Sequence, residues 1–106
     1  DDFLWINRPI VVLADSPGDP RFVEQMRLLR ERLPDLKDRD VVVITDTEPS
    51  QKTDLRQKLR PSGFMLVLIG KDGGIKLRKP SPWNVREISR IIDKMPMRRQ
   101  EMRAGG

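Results

Sequence analysis

Three short runs of apolar, largely β-branched residues constrain the fold of this sequence more than any other feature. They cover residues 10–14, 41–45 and 64–69, and none of them contains a charged residue. Runs of this length without alternating polar residues are typical of strands that are buried on both faces of a sheet. The sequence therefore predicts a sheet flanked by helices, with the first run at its centre.

Helical spacing of apolar residues follows these runs. Asp19 is a candidate N-cap before Pro20, and the helix that starts there is expected to end at Pro34. A shorter helix is expected over residues 54–60, and Ser81 is the candidate N-cap of a last helix with an apolar stripe. The strand, helix, strand order at the start of the chain predicts a parallel pair.

A glycine-rich turn at residues 70–74 leads into alternating polar and apolar residues at 75–78. This pattern predicts a β-hairpin whose second strand is half exposed at an edge of the sheet. A chain of 106 residues supports one core. We predict a single domain over residues 1–96, closed by Pro96, and a basic C-terminal tail over residues 97–106 that frays.

The chain contains neither cysteine nor histidine, which excludes several chemistries. There is no thiolate for disulfide exchange or metal binding, and no imidazole to activate a nucleophile. The longest apolar run, residues 64–69, is far shorter than the roughly 20 residues that a membrane-spanning helix needs. The net charge of +5 reflects 21 basic and 16 acidic residues, and only the C-terminal end gathers basic residues. We expect no metal and no cofactor.

The sequence resembles the bacterial members of a family of domains of unknown function, numbered 4174, along nearly its whole length. The resemblance is carried by Trp5-x-Asn7-Arg8, by Ser16-Pro17-x-Asp19-Pro20-Arg21, and by residues 63–78 and 95–102. That family is thioredoxin-like and includes domains of extracellular proteins of the sushi-repeat and coiled-coil-domain-80 kind. The resemblance implies a thioredoxin-like α/β fold with a four-stranded mixed sheet. It also implies a periplasmic or secreted location, although this chain contains no signal peptide.

The resemblance also indicates where a ligand is expected. In redox-active thioredoxins a Cys-x-x-Cys segment lies between the first core strand and its helix, where this chain has Ser16 to Asp19. A serine hydroxyl does not replace a thiolate, because its pKa lies far above that of cysteine. A cis-proline precedes the third strand of those enzymes, and Gly63 and Phe64 stand at that place here. The candidate binding residues at this end of the sheet are Asp15, Ser16, Asp19, Gly63 and Phe64.

Carboxylates offer an alternative chemistry. Asp15 and Asp46 each follow a predicted strand and are expected to share the edge of the sheet where α/β proteins bind ligands, with Lys71 as a third candidate. Such a cluster suits Mg²⁺ or a phosphoryl group, and Asp19 adds a further acid or base. Turn capping explains the same residues, so we predict no metal site. A carboxylate-dependent enzyme is nevertheless kept as an alternative.

The C-terminal segment combines basic residues with methionines, namely Lys94, Met95, Met97, Arg98, Arg99, Met102 and Arg103. Methionines beside arginines form adaptable contact surfaces. Met97, Arg98 and Arg99 are therefore candidates for binding an acidic protein or an anionic lipid surface, and a solvated tail is the competing explanation. Nucleic acid is not favoured, because no aromatic residues accompany the charges.

These observations predict a non-catalytic, thioredoxin-like interaction module that binds a protein partner. The alternatives are a carboxylate-dependent enzyme and a binder of anionic surfaces through the C-terminal basic segment. Trp5 and Trp83 are expected to pack over the ends of the sheet rather than to stack on a ligand.

Overall fold

The computed structural model describes residues 4–104 as a four-stranded sheet with helices on both faces. The strands are β1 (Arg8–Leu13), β2 (Val41–Asp46), β3 (Met65–Ile69) and β4 (Ile75–Lys79). The helices are α1 (Pro20–Glu31), α2 (Leu33–Asp38), α3 (Asp54–Leu59), α4 (Val85–Asp93) and α5 (Pro96–Ala104), and Pro49–Gln51 form one turn of 3₁₀ helix.

The sheet has the strand order β2-β1-β3-β4, which confirms the predicted thioredoxin-like topology. β1 is parallel to β2 and antiparallel to β3, and β3 and β4 form the predicted antiparallel hairpin. The fully apolar first run lies inside the sheet, whereas the alternating residues of β4 lie at an edge and are half exposed. β1, β3 and β4 therefore occupy the places that their apolar patterns indicate, whereas the apolar β2 lies at an edge and is only half buried, contrary to the prediction.

Three helices cover the first face of the sheet. On this face Ile10, Val12 and Leu68 are at most 1% exposed and pack against buried residues of α1, α2 and α4. These helices supply Leu29, Leu36, Val85, Ile88 and Ile92. This layer is the main hydrophobic core.

The second face of the sheet has a thinner cover. Val11, Leu13 and Val67 are fully buried there against Leu59 of α3, and Leu55 of the same short helix packs beside them. α3 has only six residues. Because a six-residue helix is about 9 Å long, it covers only part of this face.

The structure confirms one predicted helix cap and corrects another. Asp19 caps α1 by accepting a hydrogen bond from the Arg21 amide at 2.9 Å. Ser81 does not cap α4. That role belongs to Asn84, whose Oδ1 accepts from the Glu87 amide at 2.9 Å, so α4 starts later than predicted. Pro34 lies in the first turn of α2. Proline is tolerated there, because the N–H group that it lacks has no hydrogen-bond partner within the helix at that position.

The prediction that residues after Pro96 fray is wrong for residues 97–104, which form α5. Pro96 does not close the preceding helix but opens this one, where its fixed φ suits the first helical position. Residues 105 and 106 lie outside the described part of the chain. The domain limit at residue 96 stays a prediction.

Candidate functional site

The loop between β1 and α1 holds three of the predicted site residues. Asp15 and Ser16 are exposed, whereas Asp19 faces the start of α1. Asp19 also pairs with the Arg21 guanidinium, with Oδ2 3.1 Å from Nη2. The side chain of Arg21 and then its backbone amide hold the pKa of Asp19 below its usual range. Asp19 is therefore an ionised helix cap, and its chemistry does not suit an acid or a base near neutral pH.

Arg21 brings this loop together with the segment before β3. Its guanidinium carbon lies 5.8 Å from the centre of the Phe64 ring. Gly63 has a φ of +74°, and a Cβ at that position would lie 3.3 Å from Arg21 Nη2. A larger residue at 63 would therefore be strained and would crowd the guanidinium. Phe64 is only 1% exposed, so its ring packs in the core of the first face and does not face solvent.

The carboxylate of Asp46 is occupied by neighbouring side chains. Its Oδ1 accepts from Arg56 Nη2 at 2.9 Å, and its Oδ2 accepts from the Thr53 hydroxyl at 2.6 Å. Arg56 also donates to the Ala14 carbonyl at 2.9 Å, which ties α3 to the ends of β1 and β2. The Arg56 hydrogen bond, aided by Thr53, lowers the pKa of Asp46 despite its burial. This group fixes the turn after β2.

Lys71 does not join Asp15 and Asp46. It lies in the β3–β4 turn, and its Nζ donates to Asp40 Oδ2 and Glu101 Oε2, both at 2.8 Å. These partners lie near the start of β1, whereas Asp46 pairs with the last residue of β1 in the sheet. The three-residue cluster is therefore not assembled. Among residues 4–104 no three carboxylates lie close enough together to hold a metal ion.

Glu101 of α5 bridges two cations that are almost fully buried. Arg8 is 1% exposed, and its two terminal nitrogens donate to Glu101 at 3.0 and 3.3 Å, while Lys71 is 9% exposed. Burial alone would raise the pKa of Glu101, but the hydrogen bonds from Lys71 and Arg8 outweigh it and hold that pKa low. Burial likewise opposes the charge of Lys71, but Asp40 and Glu101 raise its pKa. We call Arg8, Asp40, Lys71 and Glu101 the buried ion-pair cluster.

Arg98 is a structural residue rather than part of an exposed basic patch. It is 9% exposed, and its guanidinium binds Asp38 at 2.9 Å and Asp93 at 3.3 Å. Arg99 is exposed and Met97 is half buried. Because Asp38 lies just before the start of β2, its contact with Arg98 places Met97, Arg98 and Arg99 at the end of the sheet opposite to the loop of Ser16. The structure separates the predicted site residues into two distant groups.

The depressed carboxylate pKa values determine how stability depends on pH. The ordinary value is 3.8 for Asp46 and Asp93 and 4.5 for Glu101, and each is lower in the folded chain. A lowered folded pKa contributes stability above the unfolded value, and this contribution is lost as the pH falls through the folded value. We expect a lower urea midpoint at pH 3 than at pH 7. Glu101→Gln should show a smaller decrease, and equal midpoints at both pH values would contradict the assignment.

The residues just before β1 form a surface that the sequence analysis does not predict as a binding site. Leu4, Trp5 and Ile6 are 38%, 61% and 64% exposed. The Trp5 amide donates to the Lys71 carbonyl at 2.6 Å, and Trp5 has a φ of +67°. A left-handed conformation costs a non-glycine residue about 1–2 kcal/mol, so this turn is held in a strained shape that exposes the indole. The expected packing of Trp5 over the sheet is wrong.

Trp83 differs from Trp5 in being half buried. Gln25, which is fully buried, exchanges two hydrogen bonds of 2.9 Å with the Trp83 backbone. Lys79 Nζ lies 4.7 Å from the centre of the indole ring. Trp83 therefore packs against the core of the first face.

An apolar cleft of about 220 Å³ lies beside Leu4, where α3 leaves the second face of the sheet uncovered. Its apolar lining comes from Leu4, Pro9, Val11, Ile44, Leu55 and Ile69, and its polar lining includes Asn7, Asp54 and Lys58. The apolar letters at positions 4–6, followed by polar Asn7 and Arg8, are a signal in the sequence that points to this surface. We call Leu4, Trp5, Ile6 and the cleft the N-terminal apolar surface.

Comparison with solved structures supports the fold. Reduced 2-Cys peroxiredoxin of Plasmodium vivax superposes with a TM-score of 0.73 at 12% identity, covering 93% of this chain and 83% of that one. Chloroplastic thioredoxin z superposes with a TM-score of 0.65 at 22% identity, covering 84% and 78%. At these identities the likeness establishes a thioredoxin-like fold and no activity.

No helix between residues 4 and 104 has the length and apolar character that crossing a membrane requires.

Comparison of sequences assigns the family. A segment of 46 residues, 42% of this chain, is 46% identical to coiled-coil domain-containing protein 80 of Danio rerio, and it spans only 5% of that protein. The model of the family described as Domain of unknown function (DUF4174) matches residues 1–101. The chain therefore belongs to this family and combines its thioredoxin-like fold with a sequence that contains no cysteine.

Proposed function

We propose that this domain is a non-catalytic interaction module that binds a protein partner through the N-terminal apolar surface. The proposal rests on a run of three exposed apolar side chains, Leu4, Trp5 and Ile6, of which Leu4 lines an apolar cleft. Exposed apolar residues are common singly, but a contiguous group beside a cleft is typical of a binding surface. Tryptophan in particular is enriched among the residues that dominate binding energy.

The size of the cleft favours a protein partner over a small molecule. At about 220 Å³ it is smaller than the roughly 300–1,000 Å³ of usual small-molecule sites, so it suits one or two inserted side chains. Asp54 and Lys58 line the cleft with charges of both signs, and Asn7 adds a neutral polar group. Such a polar margin around an apolar centre is the usual arrangement of a protein interface.

The absence of thiol chemistry supports the non-catalytic part of the proposal. Ser16 occupies the loop where a thioredoxin carries its cysteines, and the chain has no histidine to activate its hydroxyl. Insulin reduction and peroxide turnover by the purified chain should therefore equal the background without protein. Turnover above that background would contradict a non-redox role.

Replacing Trp5 with alanine is expected to weaken partner binding by about 30-fold, which corresponds to a loss of about 2 kcal/mol at a central tryptophan. The matched control is Val23→Ala, because Val23 is also exposed, at 52%, but lies on α1 away from the cleft. The partner is first captured from the extract of the source organism, and its affinity for each variant is then measured by titration. Equal affinities of the partner for wild type and Trp5→Ala would contradict binding through the N-terminal apolar surface.

The location of the protein and two other binding hypotheses remain proposals. We infer a bacterial, periplasmic or secreted protein, and this inference is supported only by the family resemblance. Asp15, Ser16 and Asp19 are kept as a second candidate contact region at the opposite end of the sheet. In the hypothesis of binding to an anionic surface, Arg98 is no longer a candidate because it is buried. Lys94, Arg99 and Arg103 are exposed and stay candidates.

A further inference from the structure

The two edges of the sheet differ sharply in how they are protected. β2 forms one edge and β4 the other. Residues 41–45 of β2 contain no charge and no proline, whereas β4 carries Lys76, Arg78 and Lys79 among its five residues. Charged residues on an edge strand discourage pairing with another chain, and an uncharged edge permits it. β2 is therefore the open edge of this sheet.

Hydrogen bonds to β1 show which backbone groups of β2 face outward. The Asp40 carbonyl accepts from the Arg8 amide at 2.9 Å, and the Asp46 carbonyl accepts from the Ala14 amide at 3.0 Å. Because the backbone groups of alternate residues point to the same side of a strand, residues 42 and 44 also face β1. The N–H and C=O groups of Val41, Val43 and Thr45 therefore face away from the sheet, where the described residues provide no further strand.

An apolar groove lies along this edge on the first face of the sheet. Leu33, Pro34 and Leu36 of α2 line it together with Val41 and Val43, Lys37 adds one charged side chain, and Leu33 is 51% exposed. A strand added to β2 would extend the sheet and place its own apolar side chains beside this groove. The groove thus provides side-chain burial in addition to backbone pairing.

We propose that β2 pairs with β2 of a second copy, antiparallel and about a two-fold axis at Val43. This register sets Val43 against Val43 of the second copy and Val41 against its Thr45, and each of these pairs exchanges two backbone hydrogen bonds. It also sets Val42 against Ile44 on the other face. Every pair within residues 41–45 is uncharged, so the edge is complementary to itself.

The charged residues at the ends of this register are already neutralised. Asp40 of one copy would face Asp46 of the other, but Asp40 binds Lys71 at 2.8 Å and Asp46 binds Arg56 at 2.9 Å in each copy. The same antiparallel arrangement at β4 would bring clustered cations together. Charge therefore selects β2 over β4 as the pairing edge. This inference goes beyond the proposed function, because it concerns the outward backbone groups of β2, of which only Ile44 lines the cleft beside Leu4.

Position 43 allows a direct test, because the two-fold axis sets it against itself. Sedimentation of the unmodified chain from about 1 µM to about 1 mM should show a monomer–dimer equilibrium. Val43→Lys and Val43→Glu should each be monomeric, and an equal mixture of the two should regain the dimer through the Lys–Glu pair. The control is Ile75→Lys on the β4 edge, which should leave the dimer intact.

Val43 packs against the core, so its charged variants require a check of folding by circular dichroism. Hydrogen exchange of the unmodified chain provides a readout that needs no variant. The amides of Val41, Val43 and Thr45 should exchange more slowly in concentrated than in dilute protein. The amides of Val42 and Ile44 already face β1 and should not change. A chain that stays monomeric throughout, a dimer broken by Ile75→Lys, or an edge that binds only a foreign extended peptide would overturn pairing between copies.

Discussion

Replacing Glu101 with alanine is expected to lower the free energy of unfolding by about 3 kcal/mol, because it leaves two buried cations short of a partner. Arg8 is 1% exposed, and after the substitution its guanidinium keeps only the Arg39 carbonyl, at 2.8 Å. Lys71 keeps Asp40, at 2.8 Å. Because these contacts remain and Glu101 is itself 27% exposed, the effect should fall at the lower end of the range for breaking a buried pair.

Urea denaturation followed by circular dichroism measures this loss. The matched control is Glu24→Ala, since Glu24 also pairs with an arginine, at 2.7 Å, but both side chains are exposed. An exposed pair contributes only about 0–1 kcal/mol, so the control should change little. Equal effects of the two substitutions would show that burial does not strengthen the role of Glu101.

A double substitution separates the ion pair from the packing of α5. In Arg8→Met with Glu101→Leu, the buried charge of Arg8 is removed together with its partner. Replacing both members of a buried pair by apolar residues of similar volume is often neutral or stabilising. The double variant should therefore be more stable than Glu101→Ala, and failure to regain stability would indicate that α5 is anchored by something other than this charge pair.

The sequence predicted the sheet because hydrophobic patterning determines it locally. The run at residues 10–14 contains no polar residue. The run at residues 41–45 contains only one, Thr45, which lies on the edge strand β2. The Gly-rich turn before residue 75 likewise marks a hairpin by its own chemistry. Features that depend on a few neighbouring residues were thus accessible without the structure.

Features that depend on distant residues were not accessible. Arg8 and Glu101 are 93 residues apart, and an arginine beside Pro9 gives no sign in the sequence that it will be buried. The sequence predicts Pro96 as the end of a helix, because a proline that ends one helix and a proline that begins the next look alike in the sequence. The ion pairs of Glu101 and Arg98 show that the residues after Pro96 are anchored.

The candidate site shows the same division. The resemblance located the loop of Ser16 and the segment at Gly63, and the structure brings Asp19, Gly63 and Phe64 together around Arg21. It did not locate the N-terminal apolar surface, because the cleft beside Leu4 exists where the short helix α3 leaves the second face of the sheet uncovered. Incomplete coverage is a property of helix length and placement that no single motif encodes.

Ending the chain at Pro96 is expected to cost about 5 kcal/mol, more than Glu101→Ala alone, because it also removes Arg98. Arg98 joins Asp38 at the end of α2 to Asp93 at the end of α4, so its loss loosens two further elements. Since a domain of this size is stabilised by only about 5–15 kcal/mol, the shortened chain should be largely or partly unfolded at 37 °C. The dispersion of backbone amide signals in a two-dimensional NMR spectrum measures this directly.

This result decides between a tail and an integral helix, and it affects how binding to anionic surfaces can be tested. If the shortened chain unfolds, its failure to bind acidic lipid says nothing about the basic segment. Arg99→Glu with Arg103→Glu is the suitable variant, because both residues are exposed and the buried ion-pair cluster is left intact. A shortened chain with the same urea midpoint as the full chain would instead establish residues 97–106 as a tail and place the domain limit at residue 96.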